Sequence, residues 1–180
     1  MRRVRLWSVL LVVVVLVGGL ALAGAAAFTT ITRQPLPWAG SCTAYEAGAS
    51  VRLEPAQTRN AAIIAGVAPR RGLADQAVTI ALATAWQESG LRNLDHGDRD
   101  SLGLFQQRPS QGWGTETQVM DPYYAANAFF AAMEEVSDWE SMHVGDVAQA
   151  VQRSGYPDAY DKWIPTAEVL AGALTGRSPA

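Results

Sequence analysis

Apolar and polar positions divide the chain into three stretches of unlike character. From Leu6 to Phe28, 23 positions carry no charge and include VLLVVVVLVGGLALAGAAAF; Arg2, Arg3 and Arg5 stand just before them. From Thr29 to about Leu53 there is little helical period, two close prolines (Pro35, Pro37) and several turn formers, a pattern that predicts a linker over residues 29–52. Beyond Leu53, helix signals dominate.

Pro55 suits the first turn of a helix PAQTRNAAIIAGVAPR, where its missing N–H costs nothing, and Gly72 ends it. Asp75 is the expected cap of the next helix, QAVTIALATAWQES, in which Val78, Leu82, Ala85 and Trp86 recur at helical spacing and Gly90 is the stop. A glycine-rich segment from Leu91 to about Thr117 follows, in which LGLF is too short for more than a minor strand or turn. Loops of that length inside a domain are usually functional. Asp121-Pro122 opens a third helix with Ala125, Phe129, Ala132 and Val136 at helical spacing. VGDVAQAVQRS predicts a fourth, PDAYDKW a short fifth, and PTAEVLAGALTG a last one from Pro165 to Gly176. The expectation is a mainly α domain over residues 53–176 with a minor strand or turn segment and a short tail, 177–180.

The first stretch is not fold material. About 20 apolar residues span a bilayer as a helix, whereas the apolar core of a signal peptide needs about 7 to 15. Length therefore favours an anchor over residues 1–28, making a single-pass membrane protein. Gly18-Gly19 and the small-residue triplets Ala21–Ala23 and Ala25–Ala27 keep a cleaved signal, and a secreted product, open. In both cases the arginines stay inside and the rest of the chain is outside.

Removing Arg2, Arg3 and Arg5 from the 14 basic residues leaves 11 against 17 acidic ones, a formal −6 for the outer portion. An acidic surface argues against nucleic acid and suits a neutral or mixed-charge polymer such as a glycan. One cysteine, Cys42, excludes an intrachain disulfide; it is either a small buried hydrophobe or the link in a disulfide-bonded homodimer of anchored chains. His96, His143 and Cys42 are too widely separated for a zinc site, and no phosphate-binding glycine loop or serine elbow is present. A calcium loop beginning at Asp98 would need glutamate where Pro109 stands, so Asp95, Asp98 and Asp100 read as turn caps. No metal or cofactor is expected.

Glu88 is the carboxylate that the pattern singles out. Counting back three, four and seven residues places Ala85, Thr84 and Ala81 on its face, so its own helix gives it no cation. Desolvation and the negative end of the helix dipole both raise its pKa. A carboxyl that keeps its proton near neutral pH is a general acid, the group that protonates a glycosidic oxygen; a solvated glutamate at a helix end is the other reading.

QESG, followed 15 residues after Glu88 by GLFQQRP from Gly103, resembles the E-S and G-L-M-Q-x-x-P motifs of the lytic transglycosylase domains of the lysozyme-like superfamily. The longer GDRDSLGLFQQRPSQGWGT through AQAVQRSGYPDAY is similar to exported proteins of high-GC Gram-positive bacteria related to that family. The resemblance spans about Leu53 to Gly176 and implies a lysozyme-like fold acting on peptidoglycan glycan strands. It makes Glu88 the sole acid and base, with no carboxylate nucleophile, because a sugar 6-hydroxyl can trap the oxocarbenium ion. It puts Gln106 in the cleft, and Ser101 and Gln107 of the same motif stretch join it as substrate-binding candidates. The family's A-Y-N-x-G motif is altered to AVQRSG: Val151 replaces its tyrosine and Gln152 its asparagine. Tyr156 and Tyr160 are the candidates to supply the missing hydroxyl, or they only pack in the core with their hydroxyls reaching water. Trp113, between Gly112 and Gly114, is either a platform for a sugar face or a plug that closes its loop onto the core.

Overall fold

Residues 42–53, the end of the predicted linker, form an antiparallel hairpin of β1, Cys42–Glu46, and β2, Ala49–Leu53, in the register Cys42↔Leu53 to Glu46↔Ala49. Gly48 makes the reversal at φ +83°. Ala44, Val51 and Leu53 turn inward, and Thr43, Tyr45 and Arg52 outward, the two-residue alternation of a half-buried ribbon. The computed structural model describes residues 41–46, 48–154 and 156–176. The anchor or signal segment, most of the linker and the tail lie outside these residues.

The domain proper therefore starts at the hairpin rather than at residue 53. A two-stranded ribbon is marginal alone, and this one lies against the last helix, α6, Ile164–Thr175. Cys42 is exposed on β1, which overturns the reading of it as a buried hydrophobe: it lies two residues from Ala44 and pairs with Leu53, but at the open end of the ribbon.

Helix α1, Pro55–Val67, begins with proline in its first turn and a reciprocal cap in which Gln57 Oε1 accepts the Glu54 N–H at 2.9 Å. It tightens into a 3₁₀ turn over Ala68–Arg71 that ends at Gly72, φ +75°. Helix α2, Asp75–Ser89, runs through the core, with every residue from Ala77 to Ala85 buried. Ala74, not Asp75, is its N-cap, and Asp75 occupies the first turn, where its charge suits the dipole. At the other end Gly90 takes φ +61°; its N–H reaches the Trp86 carbonyl and the Leu91 N–H reaches that of Ala85. That double closure stops the helix just after Glu88 and Ser89.

Around α2 pack α1, α4 (Pro122–Glu134), α5 (Val144–Gln152) and α6; a single turn, α3 (Glu116–Val119), leads into α4. Asp121 caps α4 by accepting the N–H groups of Tyr123 and Tyr124. The described residues are mainly helical, with the hairpin as their sheet. No described helix is long and apolar enough to cross a membrane.

The glycine-rich segment is a wall fastened to the core. Leu91, Leu104 and Phe105 are completely buried, and Phe105 stacks on Phe129 with ring centroids 4.6 Å apart. Isolated bridges Leu94↔Gly103 and Leu102↔Gln107 are its minor strand content. A Cβ on Gly103 would come within 2.3 Å of the Val119 carbonyl oxygen, so glycine is required for this close approach.

Candidate active site

Glu88 sits half-buried in the last turn of α2. Thr84, on the same face, donates its hydroxyl to the Ile80 carbonyl at 2.8 Å, and Ala81 and Ala85 are apolar, so the helix supplies Glu88 with no partner. Its partner comes from 72 residues further on: the Tyr160 hydroxyl donates to Glu88 Oε1 at 2.8 Å. No ion pair reaches Glu88 among the described residues, and no second bond holds its other oxygen there.

The path of the chain explains how Tyr160 arrives. Arg153 ends α5 in the left-handed conformation, φ +51°, and 3₁₀ turns at Pro157–Ala159 and Asp161–Trp163 carry the chain back across the end of α2. Tyr160 is 0% exposed. Three residues later Trp163 donates its indole N–H to Gln87 Oε1 at 2.8 Å, and its ring lies 5.7 Å from that of Trp86. Trp86, Gln87 and Glu88 are thus each engaged by one returning segment. Val151, where the family motif has tyrosine, is buried.

Burial pushes the Glu88 carboxyl above the ordinary carboxylate range, and the Tyr160 hydrogen bond pulls it partly back. Burial first, and then the Glu88 charge, push the Tyr160 phenol well above its usual value, so it remains a donor. The pair is a carboxyl that holds a proton more strongly than a surface glutamate, with one oxygen fixed by a permanent donor and the other unengaged. That is the arrangement of a proton donor.

Two other elements join this end of α2. Ser89 donates its hydroxyl to the Leu104 carbonyl at 2.7 Å, and Gln152, the last residue of α5, donates from Nε2 to the next carbonyl, that of Phe105, at 2.9 Å. Two successive carbonyls of the loop are thus held by the two helix ends. Gln152 also lines a groove of about 660 Å³ with Gln111, Trp113, Glu135, Val136 and Arg153. Trp113 is half-buried there, packing against the core and lining the groove. Beside it Gly114 takes φ +128°, a backbone conformation that side-chain-bearing residues rarely adopt.

Four predicted residues are placed elsewhere. Gln107 is 1% exposed and donates to the Ala125 carbonyl at 3.1 Å, so it braces loop against helix and has no path to a ligand. Gln106, at φ +48°, turns its amide back onto the His96 and Gly103 carbonyls, both at 3.3 Å, and is engaged inside the loop. Ser101 is buried in a turn closed by its N–H on the Asp98 carbonyl. Tyr156 is 78% exposed and makes no contact with Glu88; it lines a separate surface groove with Gln87 and Lys162. Asp100 staples the same loop by accepting the Ser110 N–H at 2.8 Å and Arg108 Nε at 2.7 Å, and hydrogen bonding by Ser110 first and Arg108 second holds its carboxyl well below the usual range.

Gln87 and Trp163 were not singled out by sequence. Their signals were a polar residue beside Glu88 and a tryptophan in the short fifth helix, but a contact across 76 residues has no local mark. Compared with known proteins, the chain matches no family model and no curated protein.

Proposed function

We propose that this domain cleaves the glycan strand of peptidoglycan between N-acetylmuramic acid and N-acetylglucosamine, by lytic transglycosylation or hydrolysis, with Glu88 as acid and base. The observation that carries the reading is the half-buried Glu88 held by a fully buried tyrosine and by no cation. Glu88 gives its proton to the bridging oxygen as the C1–O bond breaks, and the positive charge left on the muramoyl ring is met by the new carboxylate. The same carboxylate then takes the proton of the 6-hydroxyl that closes on C1, or of a water that adds there. Tyr160 supplies from a turn the hydroxyl that the motif's tyrosine would supply from the helix. The lysozyme-like fold, the outward orientation and the attachment through the apolar segment of residues 6–28 belong to this same reading.

The test is mass analysis of cell-wall fragments after incubation with the full chain in detergent. Wild-type protein is expected to release fragments, with 1,6-anhydro ends for transglycosylation or reducing ends for hydrolysis, and Glu88→Gln none. The replacement of the motif's tyrosine by Val151 favours a second reading, a non-catalytic glycan-binding or scaffold module. If wild type and Glu88→Gln bind glycan equally and neither releases a fragment over a broad pH range, that second reading stands.

A further inference from the structure

The groove beside Gln152 has an electrostatic pattern that glycan binding does not use. One wall is the C-terminal end of α4, where Glu135 is the C-cap; the other is the end of α5, where Arg153 is the C-cap. Both side chains are exposed, and neither forms an ion pair among the described residues. Their positions are not equivalent. Arg153 sits where a helix dipole favours a cation, whereas Glu135 puts a full negative charge at a helix end that is already negative, with no basic residue in that last turn. The Gln111 and Gln152 side chains and the half-buried Trp113 line the same groove. The volume falls in the range of small-ligand sites.

A neutral sugar would leave both charges unanswered. A ligand with an ammonium at one end, a carboxylate at the other and methylene groups between them would answer both, with the ammonium at Glu135, the carboxylate at Arg153 and the methylenes on Trp113. We propose that this groove binds a zwitterionic peptide end, the class that an uncross-linked stem peptide bearing a diamino acid presents. The inference rests on the reading above for the identity of the polymer. It adds that the domain selects strands by their peptides and not by sugars alone.

The test is calorimetric titration of the full chain in detergent with three probes: the tripeptide N-acetyl-Ala-γ-Glu-Lys, the same peptide with its lysine Nε also acetylated, and chitotetraose. The tripeptide is expected to bind more tightly than the Nε-acetylated form by about fivefold, the scale of one exposed charge pair at a helix end. Glu135→Gln should erase that preference, Arg153→Gln should weaken both peptides alike, and Glu140→Gln, which removes the same charge at an exposed position outside the groove, should change neither. Equal binding of the two peptides by wild type, no binding of the tripeptide, or a loss confined to chitotetraose in the Glu135 and Arg153 variants overturns the proposal. Turnover is not required: a chain that prefers the free ammonium but releases no glycan fragment keeps the groove and loses the enzyme, and fragment release without the preference does the reverse.

Discussion

Tyr160→Phe isolates the contact on which the acid depends. The ring is kept, so the packing of a side chain that is 0% exposed is nearly unchanged, and what is lost is a donor 2.8 Å from Glu88 Oε1. That bond favours the charged carboxylate and opposes burial, so its removal leaves burial less opposed and the Glu88 pKa rises further. A hydrogen bond to a charged group contributes about 1.5–3 kcal/mol, and one pKa unit is about 1.36 kcal/mol. Because Glu88 is only half-buried, water recovers part of the loss and the lower end applies, so the midpoint moves upward. The Glu88 carboxyl carbon, followed by NMR against pH, gives the midpoint directly. In the proposed mechanism the acid form is the active one, so the alkaline limb of fragment release should move to higher pH with the midpoint while its height falls. Stability follows with a definite sign: a carboxyl whose folded pKa is above its unfolded value costs stability as pH rises from the unfolded pKa through the folded one. The variant should therefore lose more stability across that window than wild type. A Glu88 midpoint that stays in place or falls in Tyr160→Phe refutes the reasoning, whatever happens to activity.

Glu88→Gln should abolish fragment release, a loss of at least about 10²-fold for one general acid, and should hold or raise the denaturation midpoint at neutral pH while removing the pH dependence just described. Phe105→Ala should cost about 3–5 kcal/mol in urea unfolding, since a fully buried ring stacked on Phe129 is deleted from the loop whose successive carbonyls Ser89 and Gln152 hold. Cys42, exposed on β1, should react with a maleimide in the folded protein as fast as in the unfolded chain, and non-reducing gels of native membranes should show a dimer that reductant removes; a thiol that reacts only after unfolding contradicts its placement.

What could be read from the sequence was what is decided locally. Pro55, Asp121-Pro122 and Gly90 mark helix ends because each acts within one turn. The dipole end and small neighbours of Glu88 are likewise consequences of a single helix. The hairpin was missed because its two short strands, with Ala and Ser among them, are held by α6 from over 100 residues away, and nothing near Cys42 announces that support. Motif letters name Gln106 and Gln107 but not their directions: Gln106, at positive φ, turns its amide into the loop, and the Ala125 carbonyl takes that of Gln107.

The altered motif shows the same limit from the other side. Val151 lies in the core of α5's buried face, with Val147 and Ala148 beside it. It also lines the groove shared with Trp113 and Gln152, and as a valine it has no hydroxyl to offer there. The helix therefore contributes an apolar residue, and the hydroxyl is delivered by the turn that follows. Delivery from a turn needs fastening, because a turn has no ladder of its own to fix a side chain. The Trp163 bond to Gln87, the Trp86 ring contact and the bond from Gln149 to the Ser154 carbonyl are that fastening. Each ties the returning segment to α2 or α5 within a few residues of Tyr160, which makes Gln87, Gln149 and Trp163 supports of the acid although none of them touches it.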